Sequence, residues 1–137
     1  RKTGRWSPPA FYTAGSVTWG LQIGGEVAQV AMLVMTDSGM RSLLSTKLQL
    51  GGDISIAAGP IGAGAQAATV DILQFTRAQG IYGGLTLEGA VITPRDDLNG
   101  AFYGRIVDPL DVLVRQRVSN KVADRLVDAV SRAAARR

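Results

Sequence analysis

Apolar residues at alternating positions, broken at short intervals by glycine, constrain this chain more than any other feature of it. The blocks are GRWSPPAF at residues 4–11, GSVTWGLQIGGEV at 15–27, GGDISIAAGPIG at 51–62, QGIYGGLTLEGAVI at 79–92 and NGAFYG at 99–104. In the second block Val17, Trp19, Leu21 and Ile23 share one face and Thr18, Gly20 and Gln22 the other, the pattern of a half-buried strand. Gly24-Gly25 is a turn signal, and residues 26–35 then read as a hairpin partner. Leu48 and Leu50 return to strand spacing, Gly51-Gly52 interrupts it, and Ile54 and Ile56 make another short strand. Residues 69–77 and 81–92 read as a second hairpin around Gln79-Gly80, with Ile81, Gly83, Leu85, Leu87, Gly89 and Val91 on one face. Glycines two residues apart in a strand imply a curved sheet or close backbone packing.

Helical periodicity enters in two places. Asp37 reads as the N-cap of a short helix to about Thr46 that carries Met40, Leu43 and Leu44 inward. From Asp108 onward the pattern stays helical. A first turn holds Leu110, Val112 and Leu113, and Ser119 or Asn120 caps a longer helix to about Ala134. In that helix Val122, Leu126, Ala129, Val130 and Ala133 form an apolar arc, facing lipid in one reading and packed on the sheet in the plainer one, beside a stripe of Lys121, Arg125, Arg132 and Arg136. The fold expected is α+β: mainly antiparallel sheet, as a sandwich or partly closed barrel, with a short internal helix and a C-terminal helical segment. A chain of 137 residues is expected to be a single domain over 1–137, its core at 4–114 and a basic tail at 115–137.

Composition narrows the chemistry. The chain has no His and no Cys, which removes imidazole bases, thiolate nucleophiles, Ser–His triads, disulfides and the common transition-metal ligands. The net charge of +4 is uneven: the last 23 residues carry seven basic side chains against Asp124 and Asp128, whereas residues 6–114 are mildly acidic. Such a cationic end favours an anionic surface. Nucleic acid is not expected as a partner, because no aromatic residue lies among the tail charges to stack on bases. The longest apolar run, Val30 to Met35, is six residues, far short of a membrane span. Since the chain opens on Arg1-Lys2-Thr3 without Met or signal peptide, it is expected to be a piece of a longer protein.

The ordered blocks resemble the SYLF domain. The resemblance rests on Trp6-Ser7-Pro8-Pro9 with Phe11, on Gly20, Gln22, Gly24 and Gly25, on Asp53 to Gly59-Pro60, on Gly80 through Leu87-Glu88-Gly89, and on Tyr103-Gly104. It covers Gly4 to about Val114. It implies a lipid- and actin-associated module: eukaryotic SYLF proteins are similar in binding phosphoinositide membranes, and some fungal ones also bind and bundle actin. Bacterial chains similar to this one look like envelope proteins, often lipoproteins. A bacterial member, periplasmic and anchored through a missing N-terminal segment, is therefore expected, with the cytoplasmic face of a membrane as the alternative. That missing segment includes the amphipathic basic helix through which eukaryotic members are implicated in lipid contact.

Against this background the expected function is non-enzymatic binding of an anionic lipid surface through Arg115, Arg117, Lys121, Arg125, Arg132 and Arg136. The alternative is a protein-interaction or scaffold module, with actin-type partners in eukaryotic relatives and envelope partners in bacterial ones. A plainer reading of the basic stripe is a docked helix with solvated arginines. Asp53, Asp71 and Glu88 lie within apolar strand segments. They are expected to face solvent or to pair with Arg77 or Arg105 and backbone amides, and a glycosidase-like acid pair is the catalytic alternative. Gly59 to Gly64 lacks the Gly-Lys-Ser/Thr ending of a P-loop, and Asp96 to Gly100 fails the calcium-loop pattern and reads as a polar turn after Pro94. Trp6, Phe11, Tyr12, Trp19, Tyr82, Phe102 and Tyr103 read as core, with Trp6 and Trp19 alternatively at a membrane rim. No cofactor or metal is expected.

Overall fold

The computed structural model of the chain describes residues 5–16, 28–58, 70–78 and 89–135. The strand expected at 17–23 and its turn, the run 59–64, the turn and adjoining strand expected at 79–88 with Glu88, and Arg136 lie outside the described residues. The chain divides into two compact units, one made of Arg1–Tyr12 with Pro94–Arg137 and the other of Thr13–Thr93.

The second unit holds the strands, apart from Tyr12 and Pro94 at two strand ends. They are β1 (Tyr12–Ser16), β2 (Ala28–Val34), β3 (Leu48–Gln49), β4 (Ile56–Ala58), β5 (Ile72–Ala78) and β6 (Ala90–Pro94). They form two three-stranded sheets, in the orders β1-β6-β3 and β2-β5-β4, and the described strands do not close into a barrel. The architecture is α+β and mostly antiparallel. β2 runs antiparallel to β5 in unbroken register from Ala28↔Ala78 to Val34↔Ile72, and β4 lies parallel on the other edge of β5.

Each of the two local hairpins expected, 17–23 with 26–35 and 69–77 with 81–92, has one strand wholly or mostly outside the described residues. Among the described residues β5 pairs with β2 along its length and with β4 at Ile72, Leu73 and Gln74, while β6 sits at the centre of the other sheet. Glycine signals mark where a chain turns, but they do not choose its strand partner; burial of the alternating apolar face does. Leu48, Leu50, Ile54, Ile72, Leu73, Ala90 and Ile92 form the buried apolar set of this unit. Ile54 and Ile56 do not share a strand. Ile54 makes an isolated parallel bridge to Leu50, closing the Gly51-Gly52-Asp53 turn through Gly51 N to Ile54 O at 2.9 Å, while Ile56 opens β4.

Helix α1 spans Asp37–Leu43, and its N-cap is Thr36, one residue before the expected Asp37. Thr36 holds the extended backbone an N-cap needs and its Oγ1 accepts from Gly39 N at 3.0 Å; Asp37 instead places its charge in the first turn. Gly39 is the buried residue of α1, because a Cβ there would stand 3.1 Å from the Asp71 carbonyl oxygen.

The first unit is helical. The polar turn expected after Pro94 is a helix, α2 (Asp96–Tyr103), followed by α3 (Pro109–Leu113) and α4 (Lys121–Ala135). Asp96 and Asp97 complement the positive end of α2, and Gly104 ends it at φ 68° in the left-handed region. Residues 5–11 are tied to α2. Asn99, fully buried, accepts from Phe11 N at 2.8 Å and donates to Phe11 O at 3.1 Å, and the Tyr103 hydroxyl donates to Pro9 O. Phe11 and Phe102 meet edge to face with centroids 5.1 Å apart. Val107, Val112 and Ala123 complete this smaller core, and Trp6 stays partly accessible.

Candidate functional site

The basic residues singled out from the sequence fall into two groups. Arg115 and Arg117 follow α3, and both guanidinium groups reach Asp111 Oδ1, at 3.0 and 3.5 Å. Their turn is set by the Asp108 N-cap, which accepts from Asp111 N at 2.7 Å, and by Gln116, which holds a positive φ of 49°. Lys121, Arg125 and Arg132 lie on α4, exposed. Among the described residues the ion pairs are Arg95–Asp97 and those two arginines with Asp111, so none of them holds a cation of α4.

Asn120 fixes where α4 begins. Its Oδ1 accepts from Val122 N at 2.9 Å, and its Nδ2 donates to Phe102 O at 2.7 Å, so one side chain caps α4 and fastens it to the end of α2. Of the two caps the sequence offered, Asn120 is the one used.

The buried side of α4 is not the arc that the docked reading would bury. Ala123 is buried and Val127, Val130 and Ser131 are half-buried, whereas Val122 is 75% and Leu126 53% exposed, with Ala129 and Ala133 exposed too. At 100° per residue the packed seam is centred about 110° round the helix from an exposed apolar strip of Val122, Leu126, Ala129 and Ala133. Val130 alone of that arc leans towards the seam. Lys121, Arg125 and Arg132 border the exposed strip, and Asp124 and Asp128 lie beyond them on the far side. The seam faces a depression of about 170 Å³ lined by Arg5, Pro8, Asn120, Ala123 and Val127 among others.

Two of the carboxylates weighed for catalysis, Asp53 and Asp71, serve structure. Asp71 accepts from the Thr36 hydroxyl, from Ser55 N at 3.0 Å and from Ser55 Oγ at 2.8 Å, and these bonds hold its carboxyl below the usual range, that from Thr36 contributing most. Asp53 accepts from Gln49 N at 2.8 Å. Asp53 is exposed and both carboxylates accept from backbone amides, two of the expected arrangements, and the ion pairs among the described residues include neither. Asp53 borders an open depression of about 260 Å³ with Arg41, Ser45 and Lys47, and Asp71 does not line it. Burial pushes the Tyr12 phenol up to about 12, in keeping with a packing role. Among the described residues there is no group of three or more acidic side chains placed to hold a metal ion, and no helix is long and apolar enough to cross a membrane.

What the described residues offer a partner is thus a small α+β domain whose accessible chemistry is a surface, an amphipathic cationic helix, rather than a lined cleft. The chain belongs to the Ysc84 family, described as Las17-binding protein actin regulator, whose profile matches residues 15–133. The match runs into α4, past about Val114, where the resemblance read from the sequence ends. It agrees with the SYLF resemblance carried by those blocks. Among its relatives, the SH3 domain-containing protein PJ696.02 of Schizosaccharomyces pombe is 28% identical over 128 residues, covering 88% of this chain and 29% of that protein. LAS seventeen-binding protein 3 of Saccharomyces cerevisiae is 28% identical over 111 residues, 75% of this chain and 24% of its own length. The human SH3 domain-containing YSC84-like protein 1 is 25% identical over 116 residues, 80% of this chain and 34% of its own. The chain therefore spans about a quarter to a third of the length of these relatives. No solved structure matches it.

Proposed function

We propose that this chain is a non-enzymatic protein-interaction module in actin regulation, and that α4 is its binding element. The observation that carries the reading is the exposure of Val122 and Leu126 beside Lys121, Arg125 and Arg132, none of which is in an ion pair among the described residues. Apolar residues at the centre of a contact supply affinity, and a cationic border supplies attraction and orientation toward an acidic partner. Membership in a family described by actin regulation supports the class of partner. Co-sedimentation with actin filaments tests it. The wild-type chain is expected to pellet with filaments, less so as salt is raised, and a Lys121→Gln, Arg125→Gln, Arg132→Gln variant is expected to stay in the supernatant. A wild-type chain that never pellets would count against actin itself as the partner.

A second reading is favoured by the same helix. An apolar strip edged by cations is also the pattern of a peripheral membrane helix, with each basic residue contributing about 1 kcal/mol near an anionic leaflet. Arg115, Arg117 and Arg136 would add to that attraction. The strip bears no Trp or Phe to insert, so this reading depends on charge. Sedimentation with neutral and phosphatidylserine-containing vesicles at low and high salt tests it, and equal binding to both vesicle types would sink it.

A further inference from the structure

Three features of α4 bear on what covers it: the width of the exposed strip, the side on which its charges lie, and what a second copy would meet. The strip is one side chain wide. Val122, Leu126, Ala129 and Ala133 recur at intervals of four, three and four residues, and together run about 17 Å along the axis at 1.5 Å per residue. One border of the strip is the seam through which α4 packs on its own unit, at Ala123, Val127 and Val130; the other is the cationic row of Lys121, Arg125 and Arg132. A row of this length and spacing is the complement of the apolar stripe of another amphipathic helix, which packs along it at 8–10 Å between axes.

The charges select among occupants. Two copies of α4 packed antiparallel about a two-fold axis would bring the same border of each helix together, setting Lys121, Arg125 and Arg132 against their own counterparts. Like charges at that range repel, so an antiparallel second copy is disfavoured, and a parallel one would leave the cations facing a seam border that offers no carboxylate. An anionic membrane satisfies the cations, but it would be met by only two bulky apolar side chains, and Asp124 and Asp128 adjoin the cationic row on its far side. A partner helix that is acidic along one border satisfies the cations and leaves both aspartates in water.

We infer that the exposed strip of α4 docks an acidic amphipathic helix of a protein partner, with Val122 and Leu126 seated among its apolar side chains and Lys121, Arg125 and Arg132 facing its carboxylates. The inference rests on the protein-interaction reading and specifies the partner's chemistry at that site. Its test does not depend on actin. Two synthetic helices of about 20 residues, long enough to hold helical structure, carry leucines at the matching spacing; one is flanked by glutamates and the other by lysines. Binding is followed by fluorescence anisotropy against the whole chain at low and high salt.

The glutamate-flanked helix is expected to bind saturably, at least about tenfold more tightly than the lysine-flanked one, and to weaken with salt. Leu126→Asp is expected to reduce its binding at least tenfold, and Lys121→Gln with Arg125→Gln and Arg132→Gln to remove the salt dependence. Both variants change exposed positions, and circular dichroism checks that they remain folded. Ile106→Asp, at a fully exposed site off the strip, is expected to bind like wild type. The inference is overturned if neither helix binds, if both bind alike, or if Leu126→Asp changes nothing. It is also overturned if phosphatidylserine vesicles bind through Leu126 while the acidic helix does not. Failure to pellet with actin filaments alongside acidic-helix binding would sink the actin reading and leave this one standing.

Discussion

The side-chain amide of Asn99 does for Phe11 what a neighbouring strand would otherwise do: it accepts from the Phe11 N–H and donates to its carbonyl from a fully buried position. Phe11 O has a second donor in Arg95 N at 2.9 Å, but the Phe11 N–H depends on Asn99. Asn99→Ala therefore leaves a part-buried donor without its partner and is expected to cost about 1–3 kcal/mol, read from urea unfolding. No sequence signal marked this residue. Asn followed by Gly100 is turn vocabulary, and the pattern reads identically whether the amide faces water or a backbone 88 residues away. Asp71 and Asp97 make a second residue-scale prediction, one of pH. Both carboxyls titrate below the ordinary 3.8, Asp71 through its bonds from Thr36 and Ser55, and Asp97, at about 2, chiefly through its bond from Arg95. A carboxyl whose folded pKa is depressed adds stability above its unfolded pKa, and that stability is lost as pH falls through the folded value. The wild-type unfolding midpoint is thus expected to fall between about pH 4 and about pH 2 more steeply than that of an Asp71→Asn, Asp97→Asn double variant. Added salt should trim the Arg95–Asp97 part, because that pair is exposed.

Helix ends give an opposed pair of expectations at the scale of the element. Gly104 closes α2 at φ 68°, and Gln116 takes φ 49° in the turn after α3, where a side chain is disfavoured. Gly104→Ala is expected to destabilise by about 1 kcal/mol and Gln116→Gly to stabilise by up to about 1 kcal/mol, both read from thermal or urea unfolding. Equal signs for the two would contradict the backbone angles. The elements were legible to different degrees for identifiable reasons. α3 and α4 were readable from Asp108, Asn120 and the apolar period, and β2 to β6 fall in segments read as strands, whereas β1 lies ahead of the strand expected from Val17. The packed side of α4 was not readable, because Ala123, Val127 and Val130 on one arc and Val122, Leu126, Ala129 and Ala133 on the next are both apolar. Periodicity groups residues by face; it does not say which of two adjacent apolar faces is covered. The partners of β5 among the described residues, β2 and β4, come from distant strands that no local glycine turn marks.

The chain's two ends build one unit, and its middle builds the other. The end-built unit is the one that carries the candidate site, and its order depends on a segment with no helix or strand of its own: residues 5–11 meet α2 through Asn99–Phe11 and Tyr103–Pro9 and border the seam of α4 through Arg5 and Pro8. The Trp6-Ser7-Pro8-Pro9 block of the sequence therefore has a mechanical role, since its prolines keep the segment extended while Phe11 adds its ring to Phe102. Removing residues 1–11 is expected to strip α2 of its buried partners and to loosen the start of α4, which Asn120 fastens to Phe102 O. Hydrogen exchange followed by mass spectrometry should then show faster exchange at Asn99–Tyr103 and Val122–Leu126. The amides of the β2–β5 ladder should keep their protection, because every bond of that register, from Ala28↔Ala78 to Val34↔Ile72, is made inside the middle-built unit. If the ladder lost protection in step with α2, the two units would unfold as one, and the binding face of α4 could not be altered without altering the sheet. If α2 kept its protection without residues 1–11, the Asn99 pin would be dispensable, and the first of the stability losses expected above would fail with it.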